Sequence, residues 1–477
     1  MQRIFFSNLV LTLFLNLLIK PLALFGIDAT VQNRVGPEEY GLYFSLLNLS
    51  VIFNMLIDLG INNYTTKNIA QEPEIAKKYF GKLISFRLLL FLAYLVVVFT
   101  FGAIVGYNAE QFSILLILSF NQLFILITAF CRSHFSGFHF FKYDALISVL
   151  DRTLLILFGG SLLFLPGLGI KITVELFVGI HLICYALTTV VALALLLKHV
   201  DRPYFQWDLK FSLGYVKQSL PYALLVVLML LYTRVDGVML ERIHPKGAYE
   251  SGIYAQGFRL LDALFMFGMI FTSLLFPMFS KQLKEDRKAM HDLLFNAGNL
   301  LTAGSLVIVI VVISNASFLL NLIYTNGDAS VPSFQLLMGS FLAIAVNFIF
   351  GTLLTANGNM KFLNWTSVVG IFVNAGLNFW LIPDYGATGA AFTTLITQSI
   401  VSLSQFIYCQ KLFQIGFNFN LLVRYLILVL PLIGLVYFLP DLEGLFFIQV
   451  ILGGILLMVL SFIRIDSLKM LLIKGEK

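Results

Sequence analysis

The chain has 477 residues, 59% hydrophobic and 12% charged, with a mean hydropathy of +0.91; an average soluble domain carries about 25% charged residues, so lipid is the main solvent here. Its formal net charge is +6, but Lys and Arg fall in short connectors between apolar runs, where they act as topology signals, which excludes a nucleic-acid partner. Apolar runs recur from end to end without a polar domain between them, so the chain reads as one all-α integral membrane domain.

In chain order, the first expected span covers 4–27. It follows Met1-Gln2-Arg3 directly, lacks a small-x-small cleavage pattern, carries Lys20-Pro21 late in its length and reads as a retained helix. The second, 41–63, holds Asn48, Asn54 and Asp58; the third is 83–106, and the fourth, 112–131, ends at Cys131. The fifth, 145–166, has Asp151-Arg152 near its start, at what reads as the cytoplasmic interface, and the sixth, 173–197, holds His181 and Cys184. The seventh, 217–240, carries Pro221, Arg234 and Asp236, and the eighth, 250–278, carries Arg259 and Asp262. The rest are 294–323, 332–356 with Asn347, 362–382 with Asn374 and Asn378, 386–409 with Gly386, Gly389 and Cys409, 422–440 and 445–464. Fourteen apolar segments result, each long enough to cross a bilayer or nearly so, a crossing helix needing about 20 residues.

Alternate connectors differ in charge. One side carries Arg3, Lys67, Lys77, Lys78, Lys82, Arg132, Lys142, Lys198, Arg202, Lys210, Lys217, Lys281, Lys284, Arg287, Lys288, Lys361, Lys411 and the tail Arg464, Lys469, Lys474 and Lys477; the other carries Arg34, Lys171, Arg242 and Lys246. The positive-inside rule then places both termini in the cytoplasm. No connector is long enough to hold a catalytic domain, which disfavours a membrane polymerase or ligase, because irregular backbone is not tolerated facing lipid.

The chain repeats itself. Asp28 to Pro37, with Arg34 between them and Gly41-Leu-Tyr43 after them, matches Asp236 to Pro245, with Arg242 between and Gly252-Ile-Tyr254 after, at an offset of six spans. An even offset preserves orientation, so two pseudo-symmetric six-helix lobes, 1–200 and 201–415, are expected around a cavity, with two further helices and a cytoplasmic tail over 416–477.

These residues resemble the MOP superfamily of exporters, specifically the Wzx-type polysaccharide flippases. The resemblance covers nearly the whole chain. It rests on Arg34-Val-Gly-Pro-Glu-Glu-Tyr-Gly41-Leu-Tyr43, Asp58-Leu-Gly60-Ile, Pro221 with Tyr232-Thr-Arg234-Val-Asp236, Gly252-Ile-Tyr254-Ala-Gln-Gly-Phe-Arg259-Leu, and Leu381-Ile-Pro383-Asp-Tyr385-Gly386-Ala-Thr-Gly389. It implies movement of an undecaprenyl-diphosphate-linked oligosaccharide, such as an O-antigen, capsule or exopolysaccharide repeat unit, from the cytoplasmic to the outer face of the bacterial inner membrane. Its partners would be that lipid-linked substrate, membrane lipids, and a polysaccharide polymerase and other assembly proteins.

A lipid diphosphate needs a cationic cavity, and charges inside spans are costly enough to be functional hypotheses by default. The candidates for substrate are Arg259, where the resemblance places a basic residue of the cavity, Arg234, Lys20, and the amides Asn48 and Asn374. Competing readings are snorkelling for Lys20, a self-contained pair with Asp262 for Arg259, and helix bridging for Asn48, Asn54, Asn347, Asn374 and Asn378. Asp58, Asp236, Asp28 and Asp262 are candidates for coupling or gating; for Asp58, capping or pairing with Lys67 is the simpler account, and for Asp236 and Asp28 a structural or gating contact. Pro21 and Pro221 are expected to kink the first and seventh helices, and Gly386 and Gly389 to let the twelfth approach a neighbour closely.

The six histidines show no ligand spacing, the three cysteines neither a zinc pattern nor a disulfide framework, and no Walker loop or nucleophile elbow occurs, so neither metal nor cofactor is expected. A cation-coupled drug or metabolite antiporter of the same superfamily is the alternative to a flippase. Its organic-cation substrate would favour acidic over basic residues inside the spans.

Overall fold

A computed structural model describes residues 15–165, 171–200, 207–415, 419–438 and 444–462, and every regular element among them is helical. Arg3, Arg202, Arg464, Lys469, Lys474 and Lys477, counted above as topology signals, lie outside the described residues, as do residues 4–14 of the expected first span. Backbone contacts divide the chain into two compact units, Met1–Gly252 and Ile253–Lys477.

The first unit opens with α1 (15–21). Pro21 has no N–H to give to the helix ladder, and the chain continues as a seven-residue π-helix, Leu22–Asp28, before α2 (Ala29–Val35). This is the form that the expected kink takes. Gly36, at φ 87°, turns the chain into α3 (Pro37–Asp58), which has proline at its start and Glu38 and Glu39 in its first turn, both favourable at a helix N-terminus. Leu59 and Gly60 are both left-handed, at φ 46° and 77°. They end α3 and fold the short helix α4 (Ile61–Gln71) back toward α5 (Glu74–Val105).

Asn108 and Gln111 then form a reciprocal capping box for α6 (Ala109–Gly137). It is followed by α7 (Phe141–Phe164), α8 (Val174–Leu196), capped by Thr173, and α9 (Leu209–Ile243), capped by Asp208. Within this unit α3 packs against α5, α6 and α9, and α6 against α8. Phe80, Phe130, Phe135 and Leu196 form an apolar core near the α4 end.

Helix α10 (Gly247–Glu285) begins in the first unit and continues into the second, followed by α11 (Arg287–Ser314), α12 (Ala316–Ile323), a 3-10 turn, α13 (Val331–Ala356) and α14 (Met360–Phe413). The 54-residue α14 is bent where Gly386 takes φ 49° and ψ −127°, three residues after Pro383, so it supplies two crossings. A Cβ on Gly389 would lie 2.7 Å from the Leu381 carbonyl oxygen. Gly386 therefore makes the bend, and Gly389 gives the close approach expected of the twelfth span, here to the end of the eleventh. Finally α15 (Phe419–Phe438) and α16 (Leu445–Val459) pack on α11 through Val307, Val311, Leu428, Leu432 and Leu457. Asn315 donates to Gln449 at 2.7 Å, one buried amide pair in an otherwise apolar seam.

Among the described residues, 11 helices are long and apolar enough to cross a membrane. Counting the bent α14 twice and adding the partly described first helix and the shorter α16 recovers the fourteen expected spans. Helices satisfy their own backbone polar groups, which lets such a chain sit in hydrocarbon.

Candidate functional site

The two halves of the repeat meet at their Gly-x-Tyr turns. A Cβ on Gly41 would lie 1.8 Å from the Ala248 carbonyl oxygen, and one on Gly252 would lie 1.8 Å from that of Pro37. Each glycine thus faces the residue four positions before the other, the reciprocity expected of a two-fold contact between like elements. Side chains extend the contact. Gln32 donates to the Gly252 carbonyl at 3.0 Å, and the buried Tyr40 hydroxyl donates to Asp28 at 3.0 Å. Asp28 and Asp236 are both buried, and Asn48 sits against Gly237, the neighbour of Asp236, with its Nδ2 2.6 Å from the position of a Cβ there. Of the repeat's two arginines, Arg34 donates to the Leu163 carbonyl, whereas Arg242 bonds Glu241 at 2.7 Å and Gln111 at 3.0 Å and lies 4.4 Å from the Tyr107 ring centroid.

A second group is basic. Asn16 on α1 donates to Ser148 on α7 at 3.0 Å, which lays these helices side by side. One turn further along each come Lys20 and Arg152, and Lys20 lies within electrostatic reach of Arg152, Arg132 and Asp151. Arg152 contacts Asp151 at 3.4 Å and lies 5.9 Å from the Tyr185 ring centroid, while Arg132 bonds Asp144 at 2.6 Å. Arg152 is eleven residues into α7 and so about 16 Å along it. It therefore sits near the middle of α7, which starts four residues earlier than its hydropathy implied. Arg152 is within electrostatic reach of Asp28 as well, so three cations gather here with three carboxylates around them.

Arg234 is half-buried on α9, as are Arg259 and Asp262 one turn apart on α10. Asn374 and Asn378 are fully buried on α14, where Asn378 donates to Asn374 at 3.2 Å. Asn54 donates to Gln122 at 3.1 Å, and Gln122 to Ser50 at 3.2 Å, an amide ladder between α3 and α6. The side chain of Pro221 lies outside the described residues.

Asp58 caps α4 as expected, accepting from the Asn62 N–H at 3.3 Å, but its ion pair is a different one. Its partner is Arg87, at 2.8 Å, and not the exposed Lys67. Arg87 is 1% exposed, donates to Asn62 at 2.7 Å as well, and places its guanidinium 4.6 Å from the Phe130 ring centroid. The left-handed turn at Leu59-Gly60 swings α4 back, so the Asp58 carboxylate faces α5 while Lys67 points away. Sequence reasoning missed Arg87, although an arginine five residues into an apolar run satisfies the charge-in-span criterion applied elsewhere.

Two buried histidines serve packing. His134 Nδ1 meets the Phe130 carbonyl at 2.8 Å, and His181 Nδ1 that of Phe177 at 3.0 Å. Among the described residues no group of three His, Cys, Asp or Glu side chains comes together as a metal set.

Comparison with known proteins follows this geometry. The model of one family, described as polysaccharide biosynthesis protein, matches residues 6–283. No curated protein matches the chain. Among solved structures, the lipid II flippase MurJ in an inward closed conformation is similar at 17% identity and a TM-score of 0.71, covering 96% of each chain. An inward-facing multidrug resistance MATE family transporter of the MOP superfamily is similar at 12% identity and a TM-score of 0.64, covering 85% of this chain and 98% of the other. A MOP superfamily transporter from Pyrococcus furiosus, described by the reverse polarity of its binding pocket, is similar at 13% identity and a TM-score of 0.58, covering 86% and 94%. The fold is that of the MOP transporters.

Proposed function

Because the chain belongs to the polysaccharide biosynthesis protein family, we propose that it is a flippase carrying an undecaprenyl-diphosphate-linked oligosaccharide from the cytoplasmic to the outer face of the bacterial inner membrane. The observation that carries this reading is the gathering of three cations, Lys20, Arg152 and Arg132, within the first unit. Cations at membrane depth are expensive, and a diphosphate is a ligand that repays them through charge-assisted hydrogen bonds. Arg234 and Arg259, basic and half-buried within their helices, extend the same chemistry. Asn48 and Asn374 are enclosed by packing, which favours helix bridging over sugar contact for both.

Alternation then works at the reciprocal glycine contact. Backbone against backbone closes tightly without interlocked side chains, and Asp28 and Asp236 beside it act as gating residues. Asp262, one turn beyond Arg259, tunes the charge that Arg259 presents. Asp58, engaged by Arg87, anchors α4 to α5 and is set aside as a coupling group. The termini face the cytoplasm, a polymerase and other assembly proteins receive the product, and the chain itself catalyses no covalent step.

The second reading, a MATE-type antiporter, is favoured by the fold likeness to multidrug transporters. Charge separates the two, since an organic cation binds poorly beside three basic side chains. Native mass spectrometry tests this. Purified wild type should retain undecaprenyl diphosphate, and a Lys20→Ala/Arg152→Ala double variant should not. Equal retention by both, with tighter binding of ethidium than of the lipid, would move the assignment to the antiporter.

A further inference from the structure

Away from the basic group, the first unit has a cavity of about 440 Å³ where α4, the start of α5 and the start of α9 converge. Its walls carry Tyr64, Tyr79, Phe211 and Tyr215, and its polar lining includes Asn68 and Gln218. We propose that this cavity is a saccharide-binding site, taking one or two sugar rings at the polar end of the bundle.

The chemistry of the lining selects the ligand class. Four aromatic rings offer flat apolar faces, while the amides of Asn68, Gln71 and Gln218 both donate and accept hydrogen bonds. A ligand matching both has C–H faces and a rim of hydroxyls, which describes a pyranose. A purely apolar ligand would leave the polar part of this lining unmatched. A phosphate is disfavoured because Lys210 and Glu72 are the charged lining residues and oppose one another. The nearby Lys82 is engaged elsewhere, bonded to Asp208 at 2.7 Å and lying 5.2 Å from the Phe211 ring centroid.

The walls are fixed in advance, as a binding site requires. Tyr64 donates to Gln218, and the Thr65 and Tyr215 hydroxyls are bonded at 3.0 Å. Tyr64 meets Tyr215 edge-on at 4.6 Å, and Tyr79 is tilted against Phe211 at 4.5 Å. Beneath them, Ser219 donates to the Leu59 carbonyl at 2.7 Å, tying α9 to the left-handed turn that launches α4.

Gly214 explains how the cavity stays open. It lies within α9, where glycine is unfavourable by about 1 kcal/mol relative to alanine. Yet a Cβ there would meet nothing within 4 Å. Helix packing does not demand the glycine, and any larger side chain would project into the cavity it lines.

The site rests on the flippase reading only for the source of its sugar, an oligosaccharide waiting at the cytoplasmic face. Sugar binding itself is measured with free ligands and needs no translocation. Saturation-transfer NMR on the full chain in detergent would use glucose, galactose, N-acetylglucosamine, maltose and lactose, with adenosine and inorganic phosphate as controls. At least one sugar should receive saturation on its ring protons, and Gly214→Leu, which fills the cavity without removing any hydrogen bond, should weaken binding at least about fivefold. Tyr79→Ala should do the same, while Gly179→Ala, at another helix position with nothing within 4 Å, should not. Absence of signal from every sugar, equal signals in Gly214→Leu, or binding of adenosine or phosphate in place of sugar would each overturn the proposal. Sugar binding that persists in a protein unable to translocate lipid-linked oligosaccharide would sink the flippase reading and leave this site standing.

Discussion

Replacing Gly41 with alanine tests the reciprocal contact at its tightest point. The added methyl would start 1.8 Å from the Ala248 carbonyl oxygen, and an ordinary carbon–oxygen approach is about 3.3 Å, so α3 and α10 must separate locally by about 1.5 Å. Overpacking of this kind costs about 1–3 kcal/mol. Alanine's better helix propensity returns up to about 1 kcal/mol whether or not the contact is closed, so it does not bias one arrangement over the other. If the contact parts during transport, the variant shifts the balance toward the parted form by about 5- to 150-fold. The assay is labelling of a Glu38→Cys reporter, on the first turn of α3, by a membrane-impermeant maleimide added outside. The native Cys131, Cys184 and Cys409 are buried. Labelling should rise in Gly41→Ala and in Gly252→Ala but not in Gly179→Ala. Unchanged labelling in both variants, with thermal stability unchanged as well, would refute the idea that this contact opens.

Two further predictions concern the α4 end. Arg87→Ala strands the Asp58 carboxylate in a buried setting and should destabilise the protein by about 3–5 kcal/mol, read as a fall in Tm, while Arg87→Met combined with Asp58→Leu should recover much of that loss; equal Tm values in wild type and both variants would contradict the buried pair. At the start of α9, the hydrogen bond from Lys82, aided by that from the Phe211 N–H, holds the exposed Asp208 carboxyl below its usual range. A depressed folded-state pKa stabilises above the unfolded value of about 4 and loses that contribution as pH falls through the folded value. Wild type should therefore lose more Tm than Asp208→Asn on acidification below about pH 4, and parallel curves would refute the interaction.

The span pattern was legible because lipid imposes a simple length and polarity rule, and the repeat because its aspartates, arginines and prolines keep their spacing, with three residues inserted before the second Gly-x-Tyr. Gly41 and Gly252 were matched by sequence alone and prove to touch each other's element reciprocally. What stayed hidden depends on where the chain turns. Asp58 looked toward Lys67 because that is the first cation after it in the sequence, whereas two consecutive left-handed residues reverse the path and present Arg87 instead. The start of α7 was placed four residues too late because Phe141-Lys142-Tyr143-Asp144 is polar enough to hide its first turn. Gly386 and Gly389 fit a packing motif equally well in sequence, and only the φ of Gly386 distinguishes a bend from a helix crossing. The aromatic cavity was invisible because its residues come from two stretches, 64–79 and 210–218, more than a hundred positions apart.

Translocation of a radiolabelled undecaprenyl-diphosphate oligosaccharide across proteoliposome membranes tests the central claim most directly, comparing wild type with Lys20→Ala, Arg152→Ala and Arg259→Ala. Wild type should carry the lipid across within the assay, and each variant should fall at least about tenfold, the loss of one charge-assisted bond of about 1.4 kcal/mol or more in the transport transition state. No translocation by wild type with any of several oligosaccharides, together with uptake of a cationic dye against a proton or sodium gradient, would contradict the account.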